Sequence, residues 1–176
     1  WVALPQADEE TAPSFSHHEG TDLPRWSDAG VDGTLIAGAA YGLTAGVRTH
    51  SPLFYAHLEM APGALTEIPG GQPERAVYIA AGAVDLGGQR YEAGKMLILS
   101  SKASRMRAAE RSTVMALGGA PLGERFLYWN FVSSSKERIA QAAADWKAGR
   151  MKLPDADNQE FIPLPEEPAP PAPAMS

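Results

Sequence analysis

The stretch from Leu53 to Met60 constrains the fold most. Phe54, Ala56, Leu58 and Met60 fall on one face, and Tyr55, His57 and Glu59 on the other. Strict period-two alternation marks a half-buried strand, because successive side chains of an extended chain point to opposite sides. Further β-rich runs follow at short intervals: Gly33–Ala40, Ala76–Ile79, Ala83–Leu86, Arg90–Glu92, Met96–Leu99, Thr113–Leu117 and Phe126–Val132. Gly87-Gly88 supplies the positive φ values of a tight hairpin turn between two of them. Short strands at regular spacing, separated by glycine turns, predict an all-β sandwich or barrel.

The pattern changes at Ser133. Ser134-Ser135-Lys136-Glu137 reads as a capping box with Ser134 at the cap and Glu137 three residues on. Ile139, Ala143 and Trp146 then recur at helical spacing, and Gly149 is the expected stop. From Ile162 onward the chain is Pro, Ala and Glu, an extended or polyproline composition. We therefore divide the chain into a loop segment (1–30), a β-barrel (31–132), a helix (133–150) and a Pro-rich tail (151–176). At 176 residues with 44% hydrophobic content, one domain with its own core is expected. The formal charge of -6, with no basic block, argues against nucleic acid as a partner. No apolar run approaches the ~20 residues that span a bilayer. There is no cysteine, which excludes disulfides and thiolate sites and fits a reducing, cytoplasmic setting.

Gly63, Pro69, Gly71, Arg75 and Gly82 stand at the spacing Gly-x5-Pro-x-Gly-x3-Arg-x6-Gly. This resembles the first metal-binding motif of the cupin family, Gly-x5-His-x-His-x3-Glu-x6-Gly, with both glycines kept and all three ligands replaced. The stretch Gly94-x5-Ser100-Ser101-Lys102-x2-Arg105 resembles the second motif, Gly-x5-Pro-x-Gly-x2-His, with its first glycine kept. The resemblance implies a cupin-type double-stranded β-helix, a jelly-roll barrel with one C-terminal helix. Its four ligand positions become Pro69, Gly71, Arg75 and Arg105. Pro and Gly offer no side-chain ligand, and arginine stays protonated and repels a cation. A barrel without metal is the expectation. Two guanidinium groups at that point could instead take a carboxylate or phosphate. Otherwise each arginine pairs with an acid such as Glu74 or Glu92, or turns outward.

The run Pro121-Leu122-Gly123-Glu124-Arg125-Phe126-Leu127-Tyr128-Trp129-Asn130-Phe131-Val132-Ser133-Ser134-Ser135-Lys136-Glu137-Arg138-Ile139 carries a closer likeness. Together with Ala144-Asp145-Trp146 and Glu160-Phe161-Ile162-Pro163-Leu164-Pro165, it resembles the C-terminal domain of pirins. The opening Trp1-Val2-Ala3-Leu4-Pro5 is similar to the pirin inter-domain segment. It begins without methionine, as expected of a fragment or a processed product. The resemblance implies a two-domain, monomeric bicupin whose N-terminal domain holds iron or another divalent transition metal on three His and one Glu. Quercetin 2,3-dioxygenase activity and transcriptional co-regulation are both associated with pirins. This chain matches the metal-free second half, so no cofactor and no catalytic residue are expected within it. Its implied partner is the N-terminal pirin cupin domain, in the same polypeptide or in a separate chain. Three roles stay open: the structural and substrate-cleft half of a dioxygenase, a non-catalytic protein-interaction module, and a small-anion-binding barrel using Arg75 and Arg105. Leu4 and Pro5 read as the end of a strand from a neighbouring domain, so self-association of the isolated chain is expected.

The remaining polar residues read more plainly. His17 and His18 are loop histidines, His50 is a turn residue before Ser51-Pro52, and His57 lies on the polar face of its strand. Ser133-Ser134-Ser135 reads as a helix start, and no Ser/His/Asp triad is argued. Tyr128, Trp129 and Phe131 are expected on one strand, two packed and one exposed. Trp146 with Ile139 and Ala143 is expected to dock the helix on the barrel.

Overall fold

The computed structural model describes residues 2–12, 14–100, 102, 104–153 and 160–165. Trp1, Ser101 and most of the Pro-rich tail lie outside the described residues, and the expectations placed on them go untested. The chain forms two units, Ala12–Pro121 and Trp1–Thr11 together with Leu122–Ser176.

The larger unit is built of strands β1 (Arg25–Asp28), β2 (Val31–Ala40), β3 (Leu43–Thr44), β4 (Leu53–Met60), β5 (Leu65–Ile68), β6 (Glu74–Ala81), β7 (Ala83–Leu86), β8 (Gln89–Glu92), β9 (Met96–Leu99), β10 (Ser104–Ala108) and β11 (Ser112–Gly119). A seven-stranded sheet runs β1-β2-β4-β11-β6-β9, with β3 on β2. A four-stranded sheet runs β5-β10-β7-β8. All these pairs are antiparallel. The alternation of β4 is realised as expected: Phe54, Ala56, Leu58 and Met60 are buried at 2% exposure or less. Leu35, Val77, Ile79 and Val114 join them from neighbouring strands, and Ile68, Val84 and Met106 meet them from the second sheet in one cluster. This is a sandwich core in which two inner faces interdigitate. Each fully buried aliphatic side chain there contributes about 1.5–3 kcal/mol.

Two glycine positions show why the strands fit. Gly87 and Gly88, with φ 59° and 82°, close the β7–β8 hairpin, whose last pair is Leu86 with Gln89. Both values lie in the left-handed region that side chains avoid. Gly33 is paired with Trp26 across β1 and β2. A Cβ there would come within 2.1 Å of the indole ring, so Trp26 lies directly over the bare backbone.

Two boundaries differ from expectation. The segment 1–30, read as loop, contains β1, which extends the large sheet. The run 126–132, read as part of the barrel, is a separate hairpin of β12 (Phe126–Tyr128) and β13 (Phe131–Ser133) in the second unit. Among the described residues its strands pair only with each other, so the sandwich ends at β11. Trp129 sits in the hairpin turn at φ 51° and is not a strand residue. That places its ring 5.3 Å from Trp146 and 5.5 Å from Phe131.

In the second unit, α1 (Lys136–Lys147) starts one residue later than the capping box predicts. Ser135 is the cap: its Oγ accepts from the Arg138 amide at 3.1 Å and donates to Glu137 at 2.8 Å. Ser134 is committed elsewhere, because its amide and hydroxyl both donate to Glu9. Ile139, Ala142, Ala143 and Trp146 form the inward stripe of α1, with Ala142 the buried member. Phe161 stacks on Trp146 at 4.9 Å, and the Trp146 indole N–H donates to the Ile162 carbonyl at 2.9 Å.

Candidate functional site

The cupin-like positions are assembled from β6 and the connections beside it. Along β6, Arg75, Val77 and Ile79 are buried, while Glu74 and Tyr78 are exposed. Arg75 therefore projects inward and is 2% exposed. Its Nη1 donates to the carbonyls of Ile68 (3.1 Å) and Pro69 (2.6 Å), and its Nη2 donates to those of Ser100 and Lys102. The guanidinium is held in a collar of main-chain oxygens from the β5–β6 and β9–β10 connections. Its Nε is buried without an acceptor, and no carboxylate pairs with it among the described residues. Gly118 makes the room: it is paired with Arg75 across β11 and β6, and a Cβ there would lie 2.9 Å from Arg75 Cγ and 2.6 Å from the Phe54 ring.

A divalent cation does not fit this arrangement. Pro69 contributes a carbonyl already taken by Arg75, Gly71 is an exposed turn residue at φ 93°, and Arg75 itself brings a permanent positive charge. Among the described residues no group of three or more His, Asp or Glu side chains could hold a metal.

Arg105 is not brought to Arg75. On β10, Met106 and Ala108 face the core and Arg105 faces outward. Its side chain is 76% exposed, with Nε 3.9 Å from Glu67. A shift of one residue in a strand moves a side chain to the opposite face, and Arg105 falls on the outer one. Of the two alternatives left open, the Arg75–Arg105 anion clamp is not assembled, and Arg105 turns outward beside Glu67 while Arg75 points inward. Neither pairs with Glu74 or Glu92, and Glu92 is engaged with Arg90. The histidines sit where the plainer reading put them. His17 meets Glu19 at 3.1 Å in an exposed loop, and His57 meets Glu59 at 3.1 Å on the outer face of β4.

That outer face is largely apolar. The registers align Thr34, His57, Met115, Tyr78 and Met96 in one row across five strands. Ala37, Tyr55, Leu117, Ala76 and Ile98 form the next. Ile98 is 79% exposed and Met96 55%, both on β9, the edge of the sheet.

One cluster had no signal in the sequence. In the second unit Glu9 accepts from Ser133 Oγ, Ser134 N and Ser134 Oγ at 2.9–3.0 Å, and its Oε1 lies 3.0 Å from Arg125 Nε. Arg125 also donates to the carbonyls of Leu4, Leu122 and Glu124. Leu4 is thus anchored within its own unit. These partners are far apart in sequence and share no motif.

A two-sheet antiparallel sandwich of this strand order is a cupin-type fold. The chain belongs to the pirin family, as the Pirin C-terminal cupin domain matches residues 55–152. A pirin-like protein of Caulobacter vibrioides is 55% identical over 94% of this chain and 58% of its own length. A solved quercetin 2,3-dioxygenase from Acinetobacter baumannii superposes with a TM-score of 0.79 at 27% identity, covering 85% of this chain and 55% of that one. A second structure of that description gives 0.84 at 24% identity over 99% of this chain and 59% of the other, which bears on fold alone. The chain spans little more than half the length of these relatives. No described helix is long and apolar enough to cross a membrane.

Proposed function

We propose that this chain is the metal-free half of a pirin-type bicupin. Its work is structural: it supports a metal-bearing cupin half and one wall of the cleft where that half acts. The observation that carries this reading is the Arg75 guanidinium, a fixed cation held by four carbonyl oxygens where cupins place a metal ligand. Iron or another divalent transition metal belongs to the other half, and the quercetin 2,3-dioxygenase described for the Acinetobacter relative suggests the reaction of the pair. A metal bound there would supply Lewis-acid chemistry. In the test, the purified chain is dialysed against iron, nickel, copper or manganese and assayed with a flavonol. Bound metal well below one equivalent and turnover at the level of the blank are expected. Stoichiometric metal with turnover would refute the proposal.

The outer face of the seven-stranded sheet is the surface we assign to the partner half. Exposed Ile98, Met96, Tyr78 and Tyr55 form an apolar patch on an edge-terminated sheet, the kind of surface that marks an interface. The isolated chain is expected to self-associate through it, and Ile98→Lys to return it to monomer in sedimentation velocity. Association unchanged by Ile98→Lys would remove this face from the interface.

A further inference from the structure

Four strands end the main paths of the two sheets in the larger unit: β1 and β9 on the seven-stranded sheet, β5 and β8 on the four-stranded one. A strand with one unpaired side is a template for another strand, and proteins commonly blunt it with charged side chains or proline. Three of the four are blunted in this way. β1 carries Arg25 and Asp28, β5 carries Glu67, and β8 carries Arg90 and Glu92. β9 reads Met-Leu-Ile-Leu. Its Met96 and Ile98 are 55% and 79% exposed, the highest values for large apolar side chains in any described strand. Among the described residues the sandwich supplies no cover for them.

The hydrogen-bond phase of β9 shows what this edge offers. The Gly94 amide donates to the Ile79 carbonyl, and the Ile79 amide donates to the Lys95 carbonyl. Antiparallel partners alternate between bonded and non-bonded pairs, so Val77 with Leu97 and Arg75 with Leu99 are the next bonded ones. The main-chain N–H and C=O groups of Met96 and Ile98 therefore point away from β6. The same two residues carry the exposed side chains. The edge thus presents two donors, two acceptors and a short apolar row to an extended chain, which is what strand addition requires.

The sequence of β9 fits itself. When two copies of β9 pair antiparallel, Met96 of each stands opposite Ile98 of the other and exchanges both main-chain bonds with it. Leu97 meets its own counterpart on the twofold axis. Met96 and Ile98 from both copies then form one continuous apolar row on the outer face, an isologous contact. Lys95 settles the direction. Antiparallel pairing sets the two Lys95 residues ~13 Å apart along the ladder, beyond the ~10 Å over which exposed charges stay coupled in ordinary salt. Parallel pairing in register would place them side by side. We infer that two copies of this chain join edge to edge through β9, in the register that sets Met96 against Ile98, and continue the seven-stranded sheet across the pair. The inference rests on the self-association expected of the outer face and adds the main-chain pairing that fixes its geometry.

The test follows amide exchange and sedimentation velocity of the whole chain over a range of concentrations. As dimer forms, exchange at the Met96 and Ile98 amides should slow at least about tenfold, while Leu97 and Leu99, bonded to β6, stay unchanged. Ile98→Pro removes an edge donor without touching the β6–β9 ladder, and should weaken association at least about tenfold. The register is read by cross-linking, since the chain has no cysteine of its own. Residues facing each other at a non-bonded antiparallel position lie about 4.5 Å apart at Cα, within the span of a disulfide. Leu97→Cys should therefore form a linked dimer on mild oxidation several-fold faster than Met96→Cys. Association that Ile98→Lys abolishes but that leaves exchange at Met96 and Ile98 unslowed would overturn the edge pairing and leave the outer face as the interface. A monomer at every concentration would overturn both. Slow exchange at these amides in a chain that stays monomeric would give the edge another occupant and overturn the inference. So would full association in a folded Ile98→Pro. Equal cross-linking of the two cysteine variants would overturn the register.

Discussion

Arg75→Met is expected to destabilise the chain by about 3 kcal/mol. The opposing contributions are both large. Hydrogen bonds from a charged donor contribute about 1.5–3 kcal/mol each, and four carbonyls share this guanidinium. Against that stands the cost of keeping a cation away from water, several kcal/mol in a protein interior. Many buried charges can be replaced by a hydrophobe of similar volume at little cost. Here the partners are main-chain oxygens that remain in place after the substitution, and two connections lose their only described cross-tie. The bonds therefore outweigh the desolvation. A fall in Tm of roughly 6–12 °C follows for a chain of this length. Arg75→Lys, with a point charge and no planar fork, should recover part of the loss. Chemical denaturation of the three proteins decides it, and a change below about 0.5 kcal/mol in Arg75→Met would show that the collar adds nothing.

Glu9→Ala should cost a similar amount, about 3 kcal/mol, for a different reason. The side chains of Glu9 and Arg125 are only 12% and 9% exposed. Removing one member of a buried pair strands the other charge, a penalty of about 3–5 kcal/mol. The Ser134 amide, at the entry to α1, loses its acceptor as well. Glu9→Gln keeps an acceptor and the shape, and should cost about half as much. Hydrogen exchange in α1 reports the effect directly: its amides should lose protection in Glu9→Ala. Unchanged protection would mean that the carboxylate is dispensable.

The sandwich was legible because β4 alternates strictly, because short β-rich runs recur around it, and because Gly87-Gly88 can do little but turn. The strands that escaped are short or polar. β5 reads Leu-Thr-Glu-Ile, and β10 interleaves Arg105 and Arg107 with Met106 and Ala108. Arg75 was found buried at an inward position of β6. Arg105 was found facing outward, and spacing counted across a connection carries no information about which face a residue meets. The partners of Arg75 are backbone carbonyls, which have no sequence signature. Gly118 was the available clue, a bare residue inside a β-rich run, and it becomes interpretable only once the β11–β6 register sets it beside Arg75. The Trp26–Gly33 contact was hidden because β1 was read as loop, and the Glu9 cluster because its partners lie far away along the chain.

The bonds from Ser134 to Glu9 span 125 positions of sequence. Between their two ends lies the whole of Ala12–Pro121, which forms its own unit. During synthesis, at about 5–20 residues per second, the segment around Glu9 must wait until Arg125 and Ser134 emerge. The intervening sheets can already have formed by then, and once they have, the loop that must close is a compact body instead of a long flexible coil. The segment around Glu9 is therefore left without these partners until the residues after the sheets have been made, and it is secured late.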